Sequence, residues 1–261
     1  MSSVIAYRLP FSFSVPPAGL LGRDGDFSLA VAFDADPGES AMEVVSGVVT
    51  TWFLLGTTGA LAGARVPSNA QGIRELQPLV APSGLQWSVS GVAIDDRSPH
   101  VLASLMLVAN EQMDEAKIQS VRLFPSGKPS ASAPVVLAEG AWDVYPPPAP
   151  VKFACHLADE PMEEIAVQIQ FSQTLSEVQF EQVRNELLVW AAAVSGGGYG
   201  IAPSSPAECG CVVDDEIECV VDEAVLSLSQ FRAHPGAIDG LVSVCARIDA
   251  MLAPIASVAV D

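Results

Sequence analysis

The chain is short of positive charge. It holds 12 Lys+Arg against 31 Asp+Glu, a formal net charge of −19. Nucleic-acid binding needs the opposite sign, because phosphate contacts dominate its affinity. An anionic membrane surface is disfavoured for the same reason. Long apolar runs are also missing. The longest stretch, Val44 to Leu55, is broken by Ser46, Gly47, Thr50 and Thr51, and a bilayer span needs about 18 apolar residues. Met1-Ser-Ser-Val-Ile-Ala-Tyr-Arg8 has no basic segment leading into an apolar one, so no secretory signal is expected and the expected compartment is the cytoplasm. Cysteine is scarce: the 5 cysteines are an odd number with no framework spacing. Reduced, packed thiols are expected, with Cys155, Cys219 and Cys245 acting as small hydrophobes.

Recognisable chemistry is scarce as well. No Gly-x-Ser-x-Gly nucleophile elbow occurs. Ser195-Gly-Gly-Gly-Tyr-Gly200 looks like a phosphate loop, but it follows an expected helix C-terminus and no lysine comes after it. Phosphate loops need the N-terminal pole of a helix, so this run reads as a helix stop. Cys209-Gly-Cys211, with Cys219, Cys155 and His156, is the one metal-like set. Structural zinc prefers repeated Cys-x₂₋₄-Cys pairs, which are absent, and so is the redox Cys-x-x-Cys. His100 and His234 flank Pro99 and Pro235 near expected helix starts, and His156 stands apart. Asp34-x-Asp36 and Asp95-Asp96 fall in expected turns, where Asp serves cap and turn chemistry. No catalytic residue, metal or cofactor is expected from these residues.

A duplication stands out against this background. Phe27-Ser-Leu-Ala-Val-Ala-Phe33 is answered by Ile165-Ala-Val-Gln-Ile-Gln-Phe171, Trp52 by Trp190, Gly59 by Gly197 and Tyr7 by Tyr145, at an offset of 138 residues. Ile118-Gln-Ser-Val-Arg-Leu123 is answered by Ile255-Ala-Ser-Val-Ala-Val260, one residue out of step. A period this long marks a duplicated domain, since solenoid periods run roughly 20–50 residues.

The element pattern repeats too. Residues 7–16 read as an edge strand, confined there by Pro10. Strands are expected at 27–33, 85–94 and 118–124, with helices over 41–55 and from Ser98-Pro99 to about Met113. The second copy reads as strands at 165–171, 209–213, 219–230 and 255–260. Its helices are 177–194, with Val178, Phe180, Val183, Leu187, Leu188, Trp190 and Ala191 on one face, and 235–252. The expected fold is therefore α+β: two tandem ferredoxin-like β-α-β-β-α-β repeats with antiparallel sheets and pseudo-twofold duplication. The first repeat, with a leading edge strand, occupies 1–124. A Pro-rich linker follows at 125–150, and the second repeat takes 151–261. The two units are expected to sit side by side with pseudo-twofold symmetry, face-to-face pairing of their sheets being one such arrangement.

Charge divides unevenly between the repeats. Residues 1–152 carry 9 Lys+Arg and 14 Asp+Glu, or −5; residues 153–261 carry 3 Arg, no Lys and 17 Asp+Glu, or −14. Glu208, Asp214, Asp215, Glu216, Glu218, Asp222 and Glu223 crowd into sixteen residues, with Asp159, Glu160, Glu163 and Glu164 as a second group. With the β-β turn placed at Val213 to Ile217, Asp214, Asp215 and Glu216 project from a hairpin tip. Like charges held together cost stability, and such a field attracts basic proteins. The plainer reading is a solvated acidic loop. Calcium is disfavoured because the Asp-x-Asp-x-Asp-Gly loop is missing.

An acidic, motif-poor, duplicated α+β chain of this kind resembles bacterial immunity proteins, which neutralise toxins. The resemblance is of type and transfers no residue. It implies a non-enzymatic protein that binds and blocks a basic toxin domain, such as a nuclease. Exposed aromatics beside the acids, Tyr199 and Phe231, are the expected energetic anchors. The alternative is an enzyme or small-molecule binder with a pocket between the repeats, lined by Trp87, His100 and His234.

Overall fold

A computed structural model gives the fold. It describes residues 9–16, 25–63, 77–81, 84–92, 94–95, 97–126, 133–134, 145–158, 163–200, 210–213 and 217–261. The first half runs β1 (Ser12–Val15), β2 (Gly25–Phe33), α1 (Glu39–Thr57), β3 (Leu79–Ala81), β4 (Gly84–Val92), α2 (Ser98–Gln112), β5 (Ile118–Pro125) and β6 (Ala133–Pro134). The second runs β7 (Ala154–Leu157), β8 (Ile165–Phe171), α3 (Glu177–Ser195), β9 (Val212–Val213), β10 (Glu218–Val220), β11 (Glu223–Ser229), α4 (Gly236–Met251) and β12 (Ile255–Val260).

Helix starts recur at the sequence offset. α1 begins at Glu39 and α3 at Glu177, α2 at Ser98 and α4 at Gly236, 138 residues apart in both cases. Trp52 and Trp190 are both fully buried. Gly59 and Gly197 both take positive φ, 89° and 77°, just beyond their helices, the left-handed stop that glycine adopts without strain.

The sheets are mixed, which corrects the expectation of purely antiparallel ones. Their orders are β3-β4-β2-β5-β1-β6 and β10-β11-β8-β12-β7, with β9 also on β11. The central strands are antiparallel to their neighbours, but β1 runs parallel to β5 and β7 parallel to β12. Hydrophobic alternation records which face of a strand is buried and says nothing of its neighbour's direction. β1 lands beside β5 and β7 beside β12, and the path by which the chain arrives sets that direction.

Alternation does fix the faces. In β8, Ile165, Val167, Ile169 and Phe171 are buried while Gln168 is exposed. β11 buries Ala224, Leu226 and Leu228 in the same way. α1 is long and apolar enough, at mean hydropathy 1.2, to cross a bilayer by length and composition. In the fold it presents Ala41, Val45, Val49, Trp52 and Phe53 to the core as a stripe, the pattern of a packing helix.

Among the described residues the halves meet through helices rather than through sheets paired face to face. α1 lies against α3. A Cβ on Gly198 would come within 3.2 Å of Val101 and Leu105 of α2. The reason lies in α2 itself, whose residues Val101 to Asn110 are all buried. A helix apolar all round needs cover on the side away from its own sheet, and the second half supplies it.

Part of 125–150 is tied to each half. Ala133–Pro134 pairs with β1. Tyr145 donates to the Gly200 carbonyl at 2.8 Å, and Ala149 N–H to Ser243 Oγ at 2.9 Å.

Candidate protein-binding surface

The β10–β11 hairpin centres the acidic segment. Its register is Glu218↔Val225, Cys219↔Ala224 and Val220↔Glu223, so the chain reverses at Val221–Asp222. This corrects the turn expected at Val213 to Ile217. β9 pairs with Leu228 and Ser229 at the far end of the same strand, so β9 and β10 form one interrupted edge along β11. Contacts far away in sequence hold the reversal in place. The Val221 carbonyl accepts from Leu175 N–H at 3.1 Å, and the Asp222 carbonyl from Phe171 N–H at 2.7 Å and Gln170 Nε2 at 2.9 Å. Val221 adopts φ 55°, a region two-residue turns usually give to Gly, Asn or Asp. For a β-branched residue the cost is about 1–2 kcal/mol.

Of the seven predicted acids, Glu208, Asp214, Asp215 and Glu216 lie outside the described residues, as do Asp159 and Glu160. Glu218 is exposed, and Asp222 and Glu223 are half-buried around the turn. Glu163 and Glu164 are exposed ahead of β8. The arginines of this half do little to offset the charge. Arg184 lies 3.6 Å from Glu181, and Arg247 pairs with the largely buried Glu186.

The two predicted aromatic anchors are corrected. Tyr199 is fully buried, its ring 5.2 Å from that of Tyr145. Its hydroxyl is so close to α4 that a Cβ on Gly240 would sit 2.6 Å away. Among the described residues that hydroxyl has no hydrogen-bond partner, and burial pushes its pKa far up. The glycine stop before it folds the chain back onto α4: Gly196, Gly197 and Gly198 N–H donate to the carbonyls of Ala192, Val194 and Ala193. Phe231 is also buried. Gln230 before it takes φ 51°, and the Phe231 N–H donates to the Glu163 carbonyl at 2.9 Å. Neither ring can anchor a partner.

Aliphatic residues take the exposed role instead. Val220 is 63% exposed, Val221 68%, Val178 68% and Met251 52%. They belong to one end of the second half, where three connections are laced together. Besides the Leu175–Val221 bond, Gln179 Nε2 donates to the Leu252 carbonyl at 2.8 Å and Ser172 N–H to the Pro254 carbonyl at 2.9 Å. A capping box between Ser176 and Gln179 fixes the start of α3. The sequence held a clue to the valines: adjacent residues in a strand face opposite ways, so Val220 and Val221 cannot both point inward. For Val178 and Met251 the clue was only that each sits in a terminal turn of its helix.

Four of the remaining candidates make local hydrogen bonds, while Asp96 and Cys209 lie outside the described residues. Asp95 Oδ1 accepts from Arg97 N–H at 3.0 Å, and Asp34 Oδ1 from Lys117 N–H at 2.8 Å. His234 Nδ1 accepts from Gly236 N–H at 3.0 Å at the start of α4. His100 Nδ1 lies 3.1 Å from the Arg97 carbonyl, and burial lowers its pKa. Cys155 sits on β7 and Cys219 on β10, at opposite edges of one sheet, about 19 Å apart at the usual strand spacing. Among the described residues no three His, Cys, Asp or Glu side chains are grouped to hold a metal.

No protein-family model matches the chain, and no curated protein matches it.

Proposed function

We propose that the chain is a non-enzymatic, acidic protein-binding protein whose second half docks a basic protein. In its most specific form the proposal is an immunity protein that covers a basic toxin domain, such as a nuclease. The observation that carries it is the −14 charge of residues 153–261, of which Glu218, Asp222 and Glu223 stand around an exposed hairpin. Such a field steers basic partners and speeds encounter. We infer in addition that each half is a ferredoxin-like unit with an added leading strand. The order β3-β4-β2-β5, matched by β10-β11-β8-β12, supports this.

The test is affinity capture from the source organism at low and high salt, identified by mass spectrometry. A basic protein is expected, bound more weakly at high salt. It should be lost when Asp214, Asp215, Glu216 and Glu218 are neutralised together. Capture that is indifferent to both salt and neutralisation would sink the reading.

A further inference from the structure

We infer that the uncovered face of the second sheet is the docking surface, and that it takes a basic protein whose helix carries an apolar strip flanked by Lys or Arg. The inference rests on the basic-partner reading above and adds to it the face of the molecule that receives the partner.

Strand register defines the face. Residues opposite one another on neighbouring strands point to the same side of a sheet. One row runs Val220–Glu223–Gln170–Ser257–Ala154 across β10, β11, β8, β12 and β7. A second runs Glu218–Val225–Gln168–Ala259–His156 across the same strands. A third holds Ser227, Ala166 and Asp261, the last two joined by backbone hydrogen bonds of 2.9 and 3.1 Å. Between the first two lies Ala224–Ile169–Val258, which points the other way. It is at most 1% exposed, in the core with residues of α3 and α4. Among the described residues, no member of the three outer rows is buried. The helices therefore cover one side of this sheet only.

The open side has low relief. Its central strands present Ala166, Gln168, Gln170, Ser257 and Ala259. Gln170 is held down by the bond from its Nε2 to the Asp222 carbonyl. Solvated faces usually carry charged side chains of both signs, and these positions carry none. Alanine has no side-chain freedom to lose on burial, so a partner covers the centre at little ordering cost.

Charge lies at the margins. Where β10 meets β11, Val220 and Val225 occupy one diagonal of a four-residue block and Glu218 and Glu223 the other. Apolar and acidic groups there alternate within about 7–8 Å. Asp261 adds a third carboxylate, and His156 is the one basic side chain in the three rows. The arginines of this half are elsewhere: Arg184 on α3, Arg247 on α4 and Arg232 beyond β11. In the first sheet the row Leu79–Gln86–Ala30–Arg122–Ser14 carries an arginine and no carboxylate.

Charge complementarity selects the occupant. The first sheet of a second copy would set Arg122 against three carboxylates, and two chains of net charge −19 repel. An anionic lipid surface is disfavoured on the same ground. A helix of a basic protein satisfies the face. Its cationic flanks meet Glu218, Glu223 and Asp261, and its apolar strip covers Val220, Val225 and the alanines. Helices already close the other side of this sheet, as they commonly do.

The test uses the full chain, with labelled Ala, Val and Met methyls, and three synthetic amphipathic helical peptides. The first is built of leucine and lysine, the second has serine for leucine, and the third has glutamate for lysine. Fluorescence anisotropy gives affinities, and methyl NMR shows where the first peptide sits. It is expected to bind at least about tenfold more tightly than either control. It should shift Val220, Val225, Ala166 and Ala259, and leave Ala30, Ala32, Val178 and Met251 unmoved. Ala259→Lys should weaken it at least about tenfold, and Ala30→Lys on the first sheet should not. Glu218→Gln with Glu223→Gln and Asp261→Asn should also weaken it. Circular dichroism checks folding, and the methyl map of the unaltered chain decides should Ala259→Lys fail to fold. Shifts centred on the first sheet or on the helices, or a folded Ala259→Lys variant that binds like the parent, overturn the docking face. If that binding is still lost on neutralising Asp214, Asp215 and Glu216, the basic-partner reading stands without it. Preference for the glutamate peptide overturns both. Self-association abolished by Ala259→Lys assigns the face to a second copy and overturns the inference. Absence of binding by all three peptides overturns it as well.

Discussion

Trp190 stands to Ala237 as Trp52 stands to Ser98. Each indole N–H donates to a carbonyl in the first turn of the helix that follows, at 2.9 Å and 3.3 Å. In both halves a fully buried ring at the same place in the first helix pins the start of the second. Replacing Trp190 by Phe keeps most of the apolar volume and removes the donor, leaving a buried carbonyl unpaired. The expected loss is about 1–3 kcal/mol. Trp52→Phe should cost a similar amount, because the relationship is the same. Urea denaturation of both variants checks the pair, and a cost at one site only would show that the duplication has diverged there.

The Glu186–Arg247 pair has no counterpart in the first half. Val48 and Ala109 hold the matching positions at the 138-residue offset, and both pack in or against the core. In the second half the charges join α3 to α4, with side chains only 15% and 12% exposed. Removing one partner strands the other, so Arg247→Met should lose about 3 kcal/mol. Glu186→Val with Arg247→Ala copies the first half and should recover much of that loss. A double variant no better than the single one would mean that the pair contributes more than its own desolvation costs.

Asp239, near the start of α4, gives a pH dependence of definite sign. Burial raises its carboxyl above the ordinary value, partly offset by His234. The folded state therefore holds its proton to higher pH than the unfolded state does. Folding gains nothing and loses nothing from this group when both states are protonated. Stability then falls as pH rises from the ordinary carboxyl range through the raised folded value. Asp239→Asn should be the more stable protein near neutrality, with the advantage fading in acid. Thermal denaturation across that range measures it, and an advantage that grew in acid would contradict the sign.

Val221 holds its turn at the expense of backbone strain. Val221→Gly relieves φ 55° but restores freedom to the unfolded chain, so the net gain should be at most about 1 kcal/mol. Val221→Ala keeps the steric conflict of a Cβ and should gain less than Gly. Chemical denaturation separates them. Alanine matching glycine would show that the strain lies elsewhere.

Local residue patterns fixed the elements that bury one continuous face. α3 was legible from its apolar stripe, and the structure adds a capping box of Ser176 with Gln179 at its start. β8, β12 and α4 were legible for similar reasons, because alternation and helical periodicity are properties of neighbours in sequence. The β10–β11 turn was not. Val213 and the three acids at 214–216 look like a loop, and the N–H donors that hold the real turn belong to residues 170–175. Tyr199 and Phe231 sat beside acids in the chain, and proximity in sequence says nothing of which way a ring turns once the backbone folds over α4.

By itself the sequence determined the 138-residue recurrence of element starts, the helices, the buried faces of the strands and the acidic sign of the second half. Each depends on composition or on spacings within one element. Tertiary structure alone decided that the leading strands run parallel to their neighbours, that the halves join through α1, α2 and α3, and that Val220 stands exposed among the acids. These depend on bonds and contacts between segments far apart in the chain, where strand direction, helix cover and side-chain exposure are settled by which surfaces meet.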